Sequence, residues 1–188
     1  MSKINVMSTD LANKIAAGEV VEKCMNIVKE LVENSVDANS SSITIDLLDG
    51  GIKKISVTDD GDGMDRKDAQ LAFLRHATSK IKDIDDLFYI SSLGFRGEAL
   101  PSIASISKMN LITSNEIEGT NIKIEGGKIL DISNAQLVKG TKVTVEDLFY
   151  NTPVRLKYLK NQYSELANIV EYINKMALSY PNIKWTLT

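Results

Sequence analysis

Short segments in which apolar and polar residues alternate recur along this chain, and several are joined by glycine-containing turns. Residues 43–47 and 52–58 flank one pair of glycines, and residues 121–124 and 128–132 flank another. Alternation with a period of two buries one side of a strand, so the pattern predicts two β-hairpins, each with one buried face. Further strands are predicted at residues 108–113, 141–145 and 183–187.

Helical periodicity marks the segments between these strands. The first long periodic segment covers residues 11–36, and its predicted buried face consists of Ile27, Val28, Leu31, Val32 and Ser35. Glu30, Asn34 and Asp37 are spaced four and three residues apart on the other side, so their side chains can converge. The last helix is predicted to bury Leu166, Ile169, Val170, Ile173 and Met176 and to end before Pro181.

Two shorter helices and one loop complete the prediction. The helices are expected near residues 67–76 and at residues 99–105. Residues 78–98 have a weak pattern interrupted by glycine and serine, which predicts a mobile loop with a short helical piece near residues 84–88. A strand that reaches the last residue leads us to expect that the natural protein continues.

Composition excludes several classes of protein. The chain has 188 residues, of which 43% are hydrophobic and 25% charged, so it is globular rather than disordered. A net charge of -3 gives no overall electrostatic footprint for nucleic acid. One cysteine, Cys24, is expected to be a small buried apolar residue, and one histidine, His76, excludes a two-histidine metal site. No signal sequence or long apolar span is recognisable, which predicts a cytoplasmic protein with no membrane contact.

Common phosphate and calcium motifs are missing. No stretch matches the Walker A pattern, and Arg66 stands where a dinucleotide fingerprint would need its third glycine. Aligning Gly63 with the sixth position of an EF-hand loop puts Thr58 and Ala69 where calcium needs carboxylates.

Four other segments can carry chemistry. Glu30 and Asn34 lie one helical turn apart, where an acid can hold a water and an amide a hard cation. Asp59 precedes Gly61 and Gly63 at a strand end, where a carboxylate accepts donors such as an exocyclic amine. The third segment is a glycine-containing loop at residues 93–100, which leads into a helix and suits an anion. The fourth is the start of a predicted strand at residues 140–143.

Each segment alone also has an ordinary structural explanation. Glu30 and Asn34 can be a solvated helix face, Asp59 part of an Asp-Gly turn, and residues 93–100 a plain connection. Together and in this order, the four resemble the N, G1, G2 and G3 boxes of the GHKL ATPases. Longer stretches look like MutL mismatch-repair proteins, namely residues 11–21 (LANKIAAGEVV), 29–38 (KELVENSVDA), 75–81 (RHATSKI), 94–100 (GFRGEAL) and 147–153 (DLFYNTP).

The resemblance implies an α+β fold of the GHKL, or Bergerat, type. It is a two-layer α/β sandwich with a mixed, mostly antiparallel sheet and helices on one face. Residues 1–188 would form one ATP-binding domain, followed in the natural protein by a second, transducer domain and a C-terminal dimerisation domain. The family's second domain supplies a lysine to the γ-phosphate, so hydrolysis by this chain alone is expected to be weak or absent.

Roles for individual residues follow from the same resemblance. Glu30 matches the general base, Asn34 the direct protein ligand of Mg²⁺, and Asp59 the acceptor of the adenine amino group, helped by a water shared with Thr141. Other matched positions around ATP are Asp37, Gly61, Gly63, Met64, Thr78, Ser79, Lys80, Gly94, Phe95, Arg96, Gly97, Glu98, Ala99 and Leu100.

The implied activity is that of a Mg-dependent ATPase in DNA mismatch repair. Residues 78–98 would form a lid whose closure over ATP favours self-association and couples mismatch recognition to repair. Implied partners are ATP, a second copy, a mismatch-recognition protein of the MutS type, and DNA in the full protein, with weak or no DNA binding by this chain. His76 is expected to pack beside the lid.

Departures and rival interpretations remain. Lys23-Cys24 replaces the family's usual Arg-Pro, Asp60 replaces an asparagine, and Val154 replaces an alanine. Histidine-kinase catalytic domains share the fold but lack a glutamate placed to activate water. A module that binds ATP only to recruit partners is the non-enzymatic rival. Arg155, Lys157 and Lys160 form either a nucleic-acid contact or a solvated helix face.

Overall fold

The computed structural model describes residues 6, 7, 15, 17, 18, 20–78, 80, 92–94, 97–136, 138–159 and 161–188. Residues 15, 17, 18 and 20 are helical. The other helices in the described part of the chain are α1 (Cys24–Asp37), α2 (Arg66–Leu71), α3 (Ala99–Ser105), α4 (Pro153–Leu156) and α5 (Gln162–Ser179). A 3-10 turn occupies Asp49–Gly51.

Seven strands in the described residues form one sheet in the order β5-β4-β3-β6-β2-β1-β7. All neighbouring pairs are antiparallel except β1 and β7. The sheet is therefore mixed and mostly antiparallel, as predicted. The strands are β1 (Ser42–Leu48), β2 (Lys54–Asp59), β3 (Lys108–Ser114), β4 (Gly119–Glu125), β5 (Lys128–Asn134), β6 (Gly140–Glu146) and β7 (Lys184–Leu187).

Strand register gives the sheet one apolar and one polar face. One row across five strands contains Ile45, Val57, Val143, Leu111 and Ile122, all of which are buried. The adjacent row contains Asp46, Ser56, Thr144, Asn110 and Lys123. Since side chains alternate between faces, these rows lie on opposite sides of the sheet.

Helices α1 and α5 cover the apolar face. Ile27 and Val28 of α1 join Ile169 and Ile173 of α5 in the same core cluster as the buried strand residues. Cys24 is fully buried there, as expected, and burial together with the charge of Glu165 raises the pKa of its thiol to about 12. The arrangement confirms the predicted α+β sandwich.

The first helical prediction was wrong in its extent. Residues 21–23 are not helical, and α1 begins at Cys24 rather than continuing from residue 11. Lys23 has an extended backbone, and its N–H donates to the side chain of Asn26 at 2.9 Å. A side-chain acceptor for an N–H at this position starts a new helix, so the chain turns before α1. The predicted buried face of α1 itself is confirmed.

The helix predicted near residues 67–76 is shorter than expected. Helix α2 ends at Leu71, and residues 72–76 form turns. His76 has a φ of 63°, and its N–H donates to the carbonyl of Gly97 at 3.1 Å, so its backbone bonds across to the segment before α3. The helical piece predicted near residues 84–88 lies outside the described residues.

The buried face of α5 differs from the prediction at two positions. Ile169, Ile173 and Met176 are buried as expected, but Leu166 is 39% exposed and Val170 37% exposed. The buried stripe instead begins with Glu165, which is fully buried. The buried residues follow Glu165 at intervals of four and three residues, so they lie on one face of the helix. This face begins at residue 165, whereas the predicted face began at residue 166.

Candidate functional site

Helix α1 presents three polar residues on the side away from the core. Ile27 and Leu31 fix this orientation because both are buried beneath the helix. The side chain of Glu30 is 26% exposed and lies 4.0 Å from the ammonium of Lys29. Asn34 and Asp37 follow at intervals of four and three residues, so the three polar side chains lie on successive turns.

Asn34 and Asp37 share contacts with a lysine from a distant segment. The Lys80 ammonium donates to Asp37 Oδ2 at 2.5 Å and to Asn34 Oδ1 at 3.2 Å. The backbone N–H groups of Leu93 and Gly94 donate to the Asp37 carboxylate at 3.0 and 3.1 Å. The structure therefore brings four predicted residues together here: Asn34, Asp37, Lys80 and Gly94.

This cluster suits a hard cation. An amide oxygen and a carboxylate already hold one positive charge, the Lys80 ammonium, between them. Oxygen atoms of this type are also the ligands that Mg²⁺ prefers. Among the described residues, no group of three or more His, Cys, Asp or Glu side chains is placed to hold a metal. A magnesium ion at Asn34 would therefore need oxygen atoms from phosphate and water.

Asp59 forms the centre of a second cluster, at the end of β2. Its carboxylate accepts hydrogen bonds from the Ser35 hydroxyl at 2.7 Å, the Gly61 N–H at 3.0 Å and the Thr141 N–H at 3.1 Å. Burial raises the pKa of the Asp59 carboxyl, and these three hydrogen bonds act in the opposite direction. A carboxylate has about four lone-pair sites, so one remains open to another donor.

Gly61 and Gly63 allow the backbone to turn away from this carboxylate. Gly63 has a φ of +66°, and a Cβ atom there would lie 1.9 Å from the carbonyl oxygen of Ser114. Glycine is therefore required at this position. At Gly61, a Cβ would lie 2.6 Å from the carbonyl oxygen of Ala38.

Thr113 connects Thr141 to the turn after β2. Its hydroxyl accepts the N–H of Met64 at 2.9 Å and lies 2.9 Å from the hydroxyl of Thr141. Thr113 is 1% exposed and pairs directly with Thr141 across β3 and β6. These contacts hold Met64 and Thr141 next to the same hydroxyl group.

The segment that leads into α3 has contacts of its own. Gly97 has a φ of +62°, and a Cβ there would lie 2.5 Å from the carbonyl oxygen of Ala77. The Glu98 carboxylate lies 3.6 Å from His76 Nδ1, and within the described residues the Glu98 side chain makes no capping hydrogen bond to α3, whose first two residues are Ala99 and Leu100. Thr78 accepts the N–H of Lys80 at 3.2 Å. Three predicted residues lie outside the described residues: Ser79, Phe95 and Arg96.

The Asn34 and Asp59 clusters are joined through α1. Ser35, which donates to Asp59, is the residue directly after Asn34, and the N–H of Asp62 donates to the carbonyl of Ala38 at 2.8 Å. Sequence reasoning assigned Ser35 only to the buried face of the helix and did not single out Thr113. A hydroxyl on an otherwise apolar face was the available signal for Ser35.

Comparison with known proteins gives the family. The family described as histidine kinase-, DNA gyrase B-, and HSP90-like ATPase matches residues 22–150, which contain both clusters. The chain is 54% identical to the DNA mismatch repair protein MutL of Bacillus licheniformis over 97% of the chain and 29% of that protein. It is also 54% identical to MutL of Halalkalibacterium halodurans over 100% of the chain and 30% of that protein. The chain belongs to the MutL family of GHKL ATPases.

Solved structures agree with this membership. The MutL ATPase domain of Aquifex aeolicus complexed with ADP has a TM-score of 0.69 and is 32% identical; the match covers 89% of this chain and 60% of that one. The N-terminal domain of a DNA repair protein has a TM-score of 0.77, and that match covers 94% of this chain and 51% of the other. The chain spans less than a third of the length of the two MutL relatives. No helix in the described part of this MutL-family chain is long and apolar enough to cross a membrane.

Proposed function

We propose that this chain is the ATP-binding and ATP-hydrolysing domain of a MutL-type DNA mismatch repair protein. The observation that carries the proposal is the partly buried Asp59 carboxylate, which has three hydrogen-bond donors and one open acceptor site. It is joined through Ser35 to the helix that carries Glu30 and Asn34. The ADP complex of the Aquifex aeolicus MutL ATPase domain gives further support.

The open site on Asp59 would recognise adenine. The exocyclic amine of adenine donates a hydrogen bond, whereas guanine presents a carbonyl oxygen at the corresponding position. An acceptor rejects the second base because two oxygens would face each other without a proton between them. Thr141 would share a water with the base, and Gly61, Gly63 and Met64 would leave room for its flat ring.

Asn34 would be the direct protein ligand of Mg²⁺ in the ATP complex. When bound, Mg²⁺ would neutralise charge on the phosphate oxygens. The Lys80 ammonium would then leave Asn34 and turn towards phosphate, with Asp37 and Thr78 beside it. The backbone N–H groups of residues 97–100 would hold the phosphates, and the Gly94 N–H would join them on leaving Asp37. Ser79, Phe95 and Arg96 remain predicted contacts.

Glu30 would orient the attacking water and accept its proton. A positioned general base typically contributes about 10²–10⁴-fold to a rate. The matched control is Glu33, which lies three residues further along α1 and is 8% exposed, with Lys29 Nζ 3.5 Å away. In a longer form of the protein that includes the following domain, Glu30→Gln should abolish ATP hydrolysis but leave ATP binding within about twofold, and Glu33→Gln should retain hydrolysis.

The same experiment separates the rival functions. Transfer of the γ-phosphate to protein in place of water would favour a histidine-kinase type of reaction. ATP binding without any turnover, even when a longer form of the protein is saturated with Mg-ATP, would favour a recruitment module. Equal ATPase activity in Glu30→Gln and the wild type would overturn the proposed role of Glu30.

Hydrolysis by residues 1–188 alone is proposed to be weak. A lysine from the following domain of the family would stabilise charge in the transition state, and removal of one such group commonly costs about 10²–10³-fold in rate. Comparison of kcat with a longer form that includes that domain tests this. Equal values would contradict it.

In the whole protein, we propose that ATP binding closes residues 78–98 over the site and favours self-association. Support comes from Lys80 and Gly94, near the two ends of this segment, which both contact Asp37. Self-association would couple a MutS-type partner and DNA to later repair steps in the cytoplasm. Sedimentation with and without a non-hydrolysable ATP analogue tests the coupling; no change in oligomeric state would contradict it.

A further inference from the structure

A buried glutamate from another helix lies at the N-terminus of the helix that carries Glu30 and Asn34. Glu165 is fully buried in the first turn of α5. Its Oε2 accepts the N–H of Cys24, the first residue of α1, at 3.1 Å. The first N–H groups of a helix have no partners within the helix, so an outside acceptor is needed.

Helix α1 provides little capping of its own. Its first turn contains no acidic residue, and the side chain of Lys23 has no lone pair with which to accept a hydrogen bond. Asn26 accepts only the N–H of Lys23. Glu165 therefore places a carboxylate at the positive end of the α1 dipole, which favours a negative charge there.

Other charged side chains share the surroundings of Glu165, because Glu22, Lys23 and Arg155 line the same cavity. The Oε1 atom of Glu165 and Nη1 of Arg155 are both buried and have no hydrogen-bond partner among the described residues, and both side chains line a cavity of about 320 Å³. The Arg155 guanidinium lies against the backbone of Gly18, where a Cβ would be 1.3 Å from Nη2. Arg155 thus brings a positive charge to the same cavity.

Directional hydrogen bonds hold α1 near both of its ends: the Ser35 hydroxyl donates to Asp59 in the C-terminal half, and the Cys24 N–H donates to Glu165 at the N-terminus. Ile27, Val28 and Leu31 pack by apolar contact, which is non-directional. A hydrogen bond to the first N–H of the helix is directional and fixes both rotation and axial position. Glu30 and Asn34 follow Cys24 by about 9 and 15 Å along one continuous helix.

We infer that Glu165 is a positioning residue for the nucleotide site: by holding the Cys24 N–H, it sets where α1 places Glu30 and Asn34. The inference rests on the proposed function of those two residues. It concerns a residue of α5 that belongs to neither the Asn34 cluster nor the Asp59 cluster, and it assigns a reason for burying an acid at this place.

Two variants of matched size test the inference. Glu165→Gln keeps an oxygen that can accept the Cys24 N–H, and Glu165→Met fills the same space without a strong acceptor. Glu171→Gln is the control, because this residue lies on the same helix, is exposed and pairs with Lys175 at 2.6 Å. For each variant, calorimetry gives the affinity for a non-hydrolysable ATP analogue with and without Mg²⁺.

The ratio of these two affinities reports the position of Asn34. We expect Glu165→Met to reduce the gain from Mg²⁺ about five- to tenfold while leaving the metal-free affinity, which depends on Asp59, within twofold. Glu165→Gln and Glu171→Gln should keep the wild-type gain. An unchanged gain in a folded Glu165→Met variant would overturn the inference.

Hydrogen exchange in the wild type is a measurement that needs no variant. The Cys24 amide should exchange at least tenfold more slowly than the Met25 amide, after correction for intrinsic rates. Equal protection would overturn the inference, and this result decides it if Glu165→Met does not fold. If the wild type binds no nucleotide, the proposed function fails, and the Cys24 amide still tests the cap.

Discussion

The two ends of the candidate nucleotide site are built in different ways. At the Asp59 end, strand register and a helix hydroxyl supply three hydrogen bonds to one partly buried carboxylate. At the Asn34 end, the Lys80 ammonium occupies the oxygen atoms that a metal would use. In the proposed complex, the first end would take its ligand without rearrangement, whereas the second would exchange one cation for another. Base recognition and phosphate chemistry are therefore separable by mutation.

The largest effect should come from the preorganised end. Asp59→Asn replaces the carboxylate with an amide, whose NH₂ group can face the adenine amine. Two donors then face each other, and the amine loses its charged acceptor. We expect affinity for ADP to fall roughly 30- to 100-fold, with or without Mg²⁺, as measured by calorimetry. Asp62→Asn, at an exposed neighbouring carboxylate, is the control, and an equal loss there would contradict base recognition by Asp59.

A smaller effect, limited to the metal, should come from the other end. Asn34→Ala removes the amide oxygen and should abolish most of the Mg²⁺-dependent gain in affinity for an ATP analogue, a loss of about tenfold. Affinity in the presence of a metal chelator should not change. Asn174→Ala, on the exposed side of α5, is the control. A loss of metal-free affinity equal to that of Asp59→Asn would remove the distinction between the two ends.

Local sequence patterns predict the strands but not the start of α1 or the buried face of α5. The strand predictions succeeded because alternation is local, and each hairpin carries its own glycine turn. The break before α1 could not be seen, since it depends on the Asn26 side chain and on Glu165, which is 141 residues from Cys24. Leu166 and Val170 looked like core residues because periodicity alone does not say which of two adjacent stripes will be buried.

The site was predictable in its residue types but not in its connections. The N-box spacing and the strand-end aspartate pointed to Asn34 and Asp59. The link between them depends on Ser35, 24 residues before Asp59. Thr113 joins the same network through contacts made only when β3 lies beside β6. The roles of Ser79, Phe95 and Arg96 stay predictions.

Lys80 should affect phosphate more than base. Lys80→Met removes the ammonium that contacts Asn34 and Asp37, and in the proposed complex it removes a charge beside phosphate. We expect affinity for ATP to fall about fivefold while affinity for adenosine stays the same, since a partly exposed ionic contact contributes modestly. Lys142→Met, at an exposed position beside Thr141, is the control. Equal losses of affinity for ATP and for adenosine would contradict a position of Lys80 beside the phosphates.

The pH dependence should be the smallest effect. Burial raises the pKa of Asp59 in the folded state above its ordinary value. At pH values between the ordinary and the raised pKa, the folded state therefore binds more protons than the unfolded state. The contribution of Asp59 to the free energy of unfolding therefore falls as pH rises through the interval, by about 1.4 kcal/mol for each unit of difference in pKa. Nucleotide affinity should change in the opposite direction, because only the ionised carboxylate keeps its acceptor site.

Urea unfolding of the wild type and Asp59→Asn between pH 4 and 7 checks this sign. The wild type should lose stability relative to the variant as the pH rises. A relative gain would mean that the hydrogen bonds from Ser35, Gly61 and Thr141 outweigh burial. In that case the pKa of Asp59 in the folded state would be lower, not higher, than in the unfolded state.

A crystal structure of this chain with a non-hydrolysable ATP analogue and Mg²⁺ is the most direct test of the central claim. The account predicts the adenine amine within hydrogen-bond distance of Asp59, a metal ion on Asn34 Oδ1, and the Lys80 ammonium moved away from that oxygen. A purine bound away from Asp59, or a metal held by other side chains while Lys80 keeps its present contacts, would contradict it.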